Sequence, residues 1–363
     1  MRLSADSGLW STGRLGAPTP LVAVLEVSGA VLSWVIDDAS GVPSITFTDL
    51  SHADWLWRVF GEAGHSAMAA AVDGRLPDDA QAIELDSVAT LPGSVDHLRR
   101  LAVGHWMRRW WPASFRDGIA ALDDALLDAE IALLTSAAQD FFAEDTLDSD
   151  FAGLLAVHSE ALNELVRSGD PRVIELVRKA GELTDGVDME LTEPAVAAPR
   201  RDDYALAAGA QRGQQGTSVM ARGTGSLAWA GVPPGLFDAA ENTVDWLVEP
   251  AVSGANVFVA VQLLGTGSPV GIAVRLKSGE FVGTGILDGR GRAGFPLVDA
   301  DQGPVPESDA WNHDWRAATV TVGADVEESA QTRDRVRHYA RSRLATPAGD
   351  AFLAEILAAE ADY

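Results

Sequence analysis

The sequence predicts an α+β, multidomain protein in which an α-rich N-terminal domain with a small antiparallel sheet precedes an antiparallel β-sandwich and two C-terminal helices. Three observations predict it. Apolar residues recur at helical spacing between about Ser51 and Leu183. Beyond Gly216 the period becomes two, with short apolar runs divided by Gly, Pro, Asp and Asn. From about Glu327 the helical period returns. The expected divisions are residues 1–19 as a flexible leader, 20–183 as small sheet plus helical domain, 184–215 as a linker, 216–324 as the sandwich and 325–363 as the C-terminal helices.

Composition bounds the function. With 363 residues, 47% of them hydrophobic, the chain can bury a large core. Its 53 acidic against 27 basic residues give a formal charge of −26, which opposes nucleic acid and anionic membrane as partners, since both draw affinity from clustered positive charge. The absence of cysteine removes disulfides, thiol nucleophiles and thiolate-held metals. The apolar run Leu21–Ile36 contains Glu26, which is costly at the centre of a bilayer, so a cytoplasmic protein is expected. Lys179 and Lys277 are the only lysines, a bias attributable to high-GC coding.

The leader is rich in Ser, Gly and Pro. The runs LVAVLEV, AVLSWVI and SITFTDL, beginning at Leu21, Ala30 and Ser44, are split by Ser28-Gly29 and Gly41-Val42-Pro43 and read as a three-stranded meander. Leu21, Ala23, Leu25 and Val27 point to one face, which needs cover. A helix from Ser51 to Val72 supplies it, with Ser51 and Asp54 in an S-x-x-D capping pattern and Gly61 and Gly64 weakening its continuity. Residues from Gly74 to Pro92 read as connection. The next helix runs from Ser94 toward Pro112, because a residue before proline disfavours the helical conformation. Others are expected over Ser114–Glu144, Asp150–Arg167 and Pro171–Leu183, the last with Asp170 as cap and Pro171 where a missing N–H costs nothing.

The β-rich part offers TSVMA, SLAWAG, NTVDWLVE, NVFVAVQLL, VGIAVRLKS, EFVGTGIL, RAGFPLV and AATVTVG as strands. Within VFVAVQLL one alternating set of positions is apolar throughout. From Val270 to Val298, the succession Gly283-Thr284-Gly285-Ile286, Asp288-Gly289-Arg290-Gly291, then Ala293 and Phe295, resembles the prealbumin-like or carboxypeptidase-regulatory type of Ig-like sandwich. That resemblance covers only these residues; it implies a fold used by accessory and binding modules, and no reaction. Two helices follow, Glu327–Leu344 and Pro347–Ala361.

Candidate sites are few. Trp106, Trp110 and Trp111 with Arg108 and Arg109 offer flat indoles and cations to a partner, although Trp106 and Trp110 share a helix face and equally suit a core. Arg333, Arg337 and Arg341, beside Arg335 and Arg343, concentrate positive charge on one helix and join the partner-binding set. Asp299, Asp301, Glu307 and Asp309 open with the Asp-x-Asp-x-Gly spacing of a Ca²⁺ loop, but prolines break the remainder and a solvated loop competes. His97 and His105 lack metal-pair spacing, and with His158 they suit core or boundary positions, while His313 falls in the acidic loop. The GTG repeats at Gly223, Gly265 and Gly283 adjoin strands and lack the lysine of a phosphate loop, which points to turns or bulges. No catalytic motif emerges and no cofactor is expected. The expectation is a non-enzymatic interaction or scaffolding component of a bacterial assembly, bound to another protein or to itself. The alternative is a hydrolase or transferase with an acidic and histidine site at a domain interface.

Overall fold

The computed structural model describes residues 1–6, 8–13, 16–73, 82–86, 88–142, 150–184, 218–265 and 267–361. The chain divides into two compact units, one of Met1–Trp110, Leu122–Ala197 and Asp334–Tyr363, the other of Trp111–Ala121 and Ala198–Arg333. Apart from Thr184, the expected linker lies outside the described residues. Among the described residues no helix is long and apolar enough to cross a membrane.

Unit 1 is built on a six-stranded antiparallel sheet. Its strands are β1 (Arg2–Asp6), β2 (Leu9–Thr12), β3 (Val22–Val27), β4 (Ala30–Val35), β5 (Ser44–Phe47) and β6 (Ile83–Glu84), in the order β3-β4-β5-β2-β1-β6. The meander β3–β5 stands where the alternation placed it, with Ala23, Leu25, Leu32, Trp34, Ile45 and Phe47 buried. The leader is a correction. Two of its segments are strands, because Leu3 and Trp10 bury their side chains and β2 pairs with β5, where the buried Thr12 hydroxyl accepts the Ile45 N–H at 2.9 Å.

Helices cover this sheet. Before α1 (Trp57–Val72) lie two 3₁₀ turns, and Asp49 rather than Ser51 supplies the cap, accepting the Ser51 N–H. Gly61 at φ 72° interrupts α1 as its sequence foretold. α2 (Asp96–Trp110) packs on β3 and ends before Pro112. A Cβ on Gly104 would stand 2.9 Å from both Ile131 and Phe352, so this glycine permits the close approach of neighbouring chain. α3 (Asp124–Gln139) starts ten residues later than expected, capped by Asp123 through the Leu126 N–H. Residues 114–119 instead form a tight β-bridged turn. α4 (Phe151–Ala156) and α5 (Ser159–Arg167) divide the single helix expected there, and α6 (Pro171–Glu182) carries the predicted Asp170 cap.

Unit 2 contains β7 (Ala221–Gly225), β8 (Val244–Ala251), β9 (Gly254–Val261), β10 (Ala273–Ser278), β11 (Phe281–Ile286), β12 (Arg292–Val298), a short helix α7 (Glu307–Asn312) and β13 (Thr319–Val322). The strands form a seven-stranded antiparallel sheet in the order β13-β10-β11-β12-β9-β8-β7. It is nearly barrel-like: Val320 on one edge strand occupies the space a Cβ on Gly225 of the other would need. Two early strands are displaced from expectation. TSVMA gives way to Ala221–Gly225, and SLAWAG ends in a 3₁₀ turn whose Trp229 and Ala230 N–H groups meet the Glu328 carboxylate.

The GTG repeats are also corrected, since Gly223, Gly225, Gly283 and Gly285 lie inside strands. At Gly223, Gly283 and Gly285 the missing side chain is replaced by a ring from the adjacent strand. Trp246, the cross-strand partner of Gly223, would lie 2.5 Å from a Cβ there, and Phe295 covers both Gly283 and Gly285. At Gly265 the repeat's Thr266 lies outside the described residues.

The first turn of α8 (Ala330–Ala345) is counted with unit 2 and the rest with unit 1. α9 (Leu353–Ala361) begins six residues after Pro347, because the Glu355 carboxylate reaches back to the Phe352 N–H at 2.8 Å and fixes the helix start.

Candidate functional site

Most of the sequence-predicted partner residues are engaged within their own unit. Trp106 is buried, donates to the Pro20 carbonyl and meets Tyr339 edge-on. Arg108 pairs with Asp124 at 2.7 Å and with buried Asp128 at 2.5 Å. Arg109 stacks over the half-buried Trp110 at 4.2 Å. Trp111 is half-buried and donates to the Ala120 carbonyl. Arg333 is buried against Glu241 and Glu328. Arg337 is buried 3.8 Å from Asp334, while Arg341 is exposed.

The acidic loop residues do different work. Asp299 accepts the N–H groups of Asp301 and Gly303, closing a turn, and Glu307 accepts from the indole of Trp311 on α7. Ser308 donates to Asp309. Among the described residues no three His, Asp or Glu side chains gather as metal ligands. His97 packs against Phe141, where burial pushes its pKa down, and His105 is exposed. His158 meets the Asp128 carboxylate at 2.8 Å. His313 lies 2.8 Å from the Ser278 hydroxyl, but that serine is 1% exposed and cannot present itself to a substrate.

The open surface lies on the outer face of β7, β8, β9 and β12. Strand alternation puts Val244, Trp246, Val248, Val257, Val259, Val261, Ala293 and Phe295 inside. The register then fixes what the outside presents. One row across the four strands reads Arg222, Leu247, Phe258, Gly294, and the next reads Thr224, Asp245, Ala260, Arg292. These rows line a groove of about 960 Å³.

Phe258 is 41% exposed at its floor. Its ring spreads over Gly294, where a Cβ would come within 3.1 Å, so the glycine leaves a flat apolar platform. Asp288, at the groove's end, accepts the N–H groups of Arg290 and Arg292, and these bonds hold its carboxyl below the usual range. Among the described residues the Arg222 and Arg292 side chains meet no acceptor, although both are exposed. This arrangement can bind but contains no nucleophile paired to a base. The sequence signal for it was present: Phe258 is the large apolar residue out of phase with Val257, Val259 and Val261. A further cavity of about 860 Å³ in unit 1, beside Thr12, Pro43, Phe60 and Thr90, has Arg2 as its charged lining residue, and Arg2 faces Glu84 at 3.6 Å. The chain matches no protein-family model, no curated protein and no solved structure.

Proposed function

We propose that this chain is a non-enzymatic interaction or scaffolding protein that holds a protein partner, or a second copy of itself, in the groove on the outer face of the unit 2 sheet. The observation that carries the reading is the exposed Phe258 ring on a strand whose opposite side is core. Covering the exposed 41% of this ring gives a favourable free energy of roughly 1 kcal/mol, and the flat floor supplies shape for it. On the same reading the seven-stranded sheet is an Ig-like accessory module of the prealbumin-like type, a use supported by the strand–turn–strand succession from Val270 to Val298. The protein acts in the cytoplasm, with neither nucleic acid nor membrane as partner.

The test is site-specific photo-crosslinking. A tagged full-length chain carrying a photoreactive side chain at Leu247 should give a discrete adduct in its native cell, and Phe258→Ser should abolish it. A chain that sediments as a monomer and forms no adduct from this face would overturn the proposal.

A further inference from the structure

We infer that the occupant of this groove is an extended segment bearing an aromatic side chain flanked, two residues away on each side, by carboxylates. The inference rests on the binding function proposed above and specifies the chemistry of its partner. The first argument is charge. Carboxylates outnumber basic groups 53 to 27 in this chain, and in unit 1 Arg100, Arg108, Arg172, Arg178, Arg335 and Arg343 each meet at least one. On the outer face of the unit 2 sheet pairing is sparser. Arg222, Arg275, Lys277 and Arg292 are exposed and, among the described residues, none is hydrogen-bonded to a carboxylate; Asp245 and Asp288 share the groove, and Asp288 attracts Arg292 only through space. Acidic groups are plentiful in this chain, so guanidiniums left without a hydrogen-bonded carboxylate on one face are complementary to acid supplied from outside.

The second argument is spacing. Arg222 and Arg292 are separated by three strand intervals and two residues of register. At about 4.8 Å per strand and about 3.4 Å per residue, their Cα atoms stand roughly 16 Å apart. Phe258 lies between them, roughly 10 Å from the first and roughly 8 Å from the second. In an extended peptide residues i, i+2 and i+4 face one side, and i to i+4 spans roughly 14 Å. An acid, an aromatic and an acid at those three positions therefore meet Arg222, Phe258 and Arg292 together, with the guanidiniums leaning inward. Bidentate guanidinium–carboxylate pairing at both ends and ring stacking at the centre complete the match. Asp245 stands in the same row as Arg292, two strands away, on the side of the line opposite Phe258, and favours a path of the segment over Phe258.

Two labelled peptides, Gly-Glu-Ala-Trp-Ala-Glu-Gly and its counterpart with both glutamates changed to lysine, test this by fluorescence anisotropy on the full-length chain. The acidic peptide should bind at least tenfold more tightly, and added salt should erode that preference. Arg222→Ala and Arg292→Ala should each weaken it several-fold, and Phe258→Ser should abolish binding. Because Phe258→Ser could disturb the sheet, the decisive variant is the exposed pair Arg222→Glu with Arg292→Glu, which should reverse the preference toward the lysine peptide. Equal binding of both peptides, or an unreversed preference in the double variant, would sink the inferred chemistry. If crosslinking from Leu247 still captures a partner through Phe258, the binding reading survives with a different ligand; if both experiments fail, the reading fails with it.

Discussion

Ser114 donates its hydroxyl to the Asp238 carboxylate at 2.6 Å, joining residues 124 apart in sequence at a site where both are buried. The same carboxylate accepts the Phe115 and Ala240 N–H groups, each at 2.9 Å. With the Arg116 N–H at 3.4 Å, one acid thus satisfies four donors, and it fixes the segment Trp111–Ala121 within unit 2. Asp238→Ala takes this acceptor from all four, two of them in buried bonds, so a loss of about 2–4 kcal/mol is expected. Ser114→Ala removes the bond to Asp238 and the one that its hydroxyl accepts from the Asp117 N–H, and should cost about 1–2 kcal/mol. Urea unfolding followed by tryptophan fluorescence measures both, and equal effects of the two variants would contradict this account.

The C-terminal helices of unit 1 are held by an ion pair with almost no exposure. Arg343 donates to Glu355 at 2.5 and 2.7 Å, and Glu355 is 0% exposed. Burial is the largest influence and opposes the guanidinium's charge, but the Glu355 hydrogen bonds together with the attraction of Tyr339, Glu355 and Asp350 outweigh it and raise the pKa above the ordinary arginine value. Removing one partner strands a buried charge, so Glu355→Leu and Arg343→Leu should each lose about 3–5 kcal/mol. The double replacement should lose much less than the sum, because no uncompensated charge remains. Chemical denaturation of the four proteins completes the cycle.

Acid stability should reflect two opposed groups of carboxylates. The Arg172 side chain and backbone N–H hold Asp170 down from 3.8 to about 2, and Arg178 with Lys179 hold Glu175 down from 4.5 to about 2. A depressed carboxyl contributes stability above its unfolded pKa and loses it as pH falls toward 2. Glu130 has the opposite sign. Desolvation raises it, so the folded state gains from its protonation at acid pH and loses that advantage as pH rises through the folded value. Urea midpoints should therefore fall between pH 5 and pH 2. The fall should be shallower in Asp170→Asn with Glu175→Gln, and steeper in Glu130→Gln. High salt should diminish the first effect, because those pairs sit at the surface.

Local signals were enough wherever an element's neighbours lie close in sequence. The meander from Val22 to Phe47, the end of α2 before Pro112 and the Asp170 cap are all of this kind. The misplaced elements have partners far away. β1 and β2 look like a polar leader until β5 pairs with β2 and β2 with β1, and the expected start of α3 is displaced because Asp238 captures the Ser114 turn. The groove was half legible: the out-of-phase Phe258 can be read from the sequence. Its neighbours Arg222 and Arg292 come from strands 36 and 34 residues away on either side and become a set only through the register.

That register also makes a prediction about glycine in strands. Gly223 faces Trp246, whose buried indole N–H meets no acceptor among the described residues. The ring fills the place of the absent side chain so closely that a Cβ would lie 2.5 Å from its Cζ2, inside the van der Waals limit. Glycine interiors ordinarily weaken a strand, and replacing one with a β-branched residue ordinarily helps. Here the sign is reversed: Gly223→Val should destabilise unit 2 by about 1–3 kcal/mol or more, through displacement of Trp246 from the core. Trp246→Phe removes the unpaired donor, which offsets part of the volume lost, so it should cost less than the about 3–5 kcal/mol typical of emptying an aromatic site. In the Trp246→Ala background the clash is gone and Gly223→Val should become neutral or stabilising. Thermal unfolding of the two single variants and the double variant decides this, since a valine equally harmful with and without the indole would mean that the ring is not what holds the glycine in place.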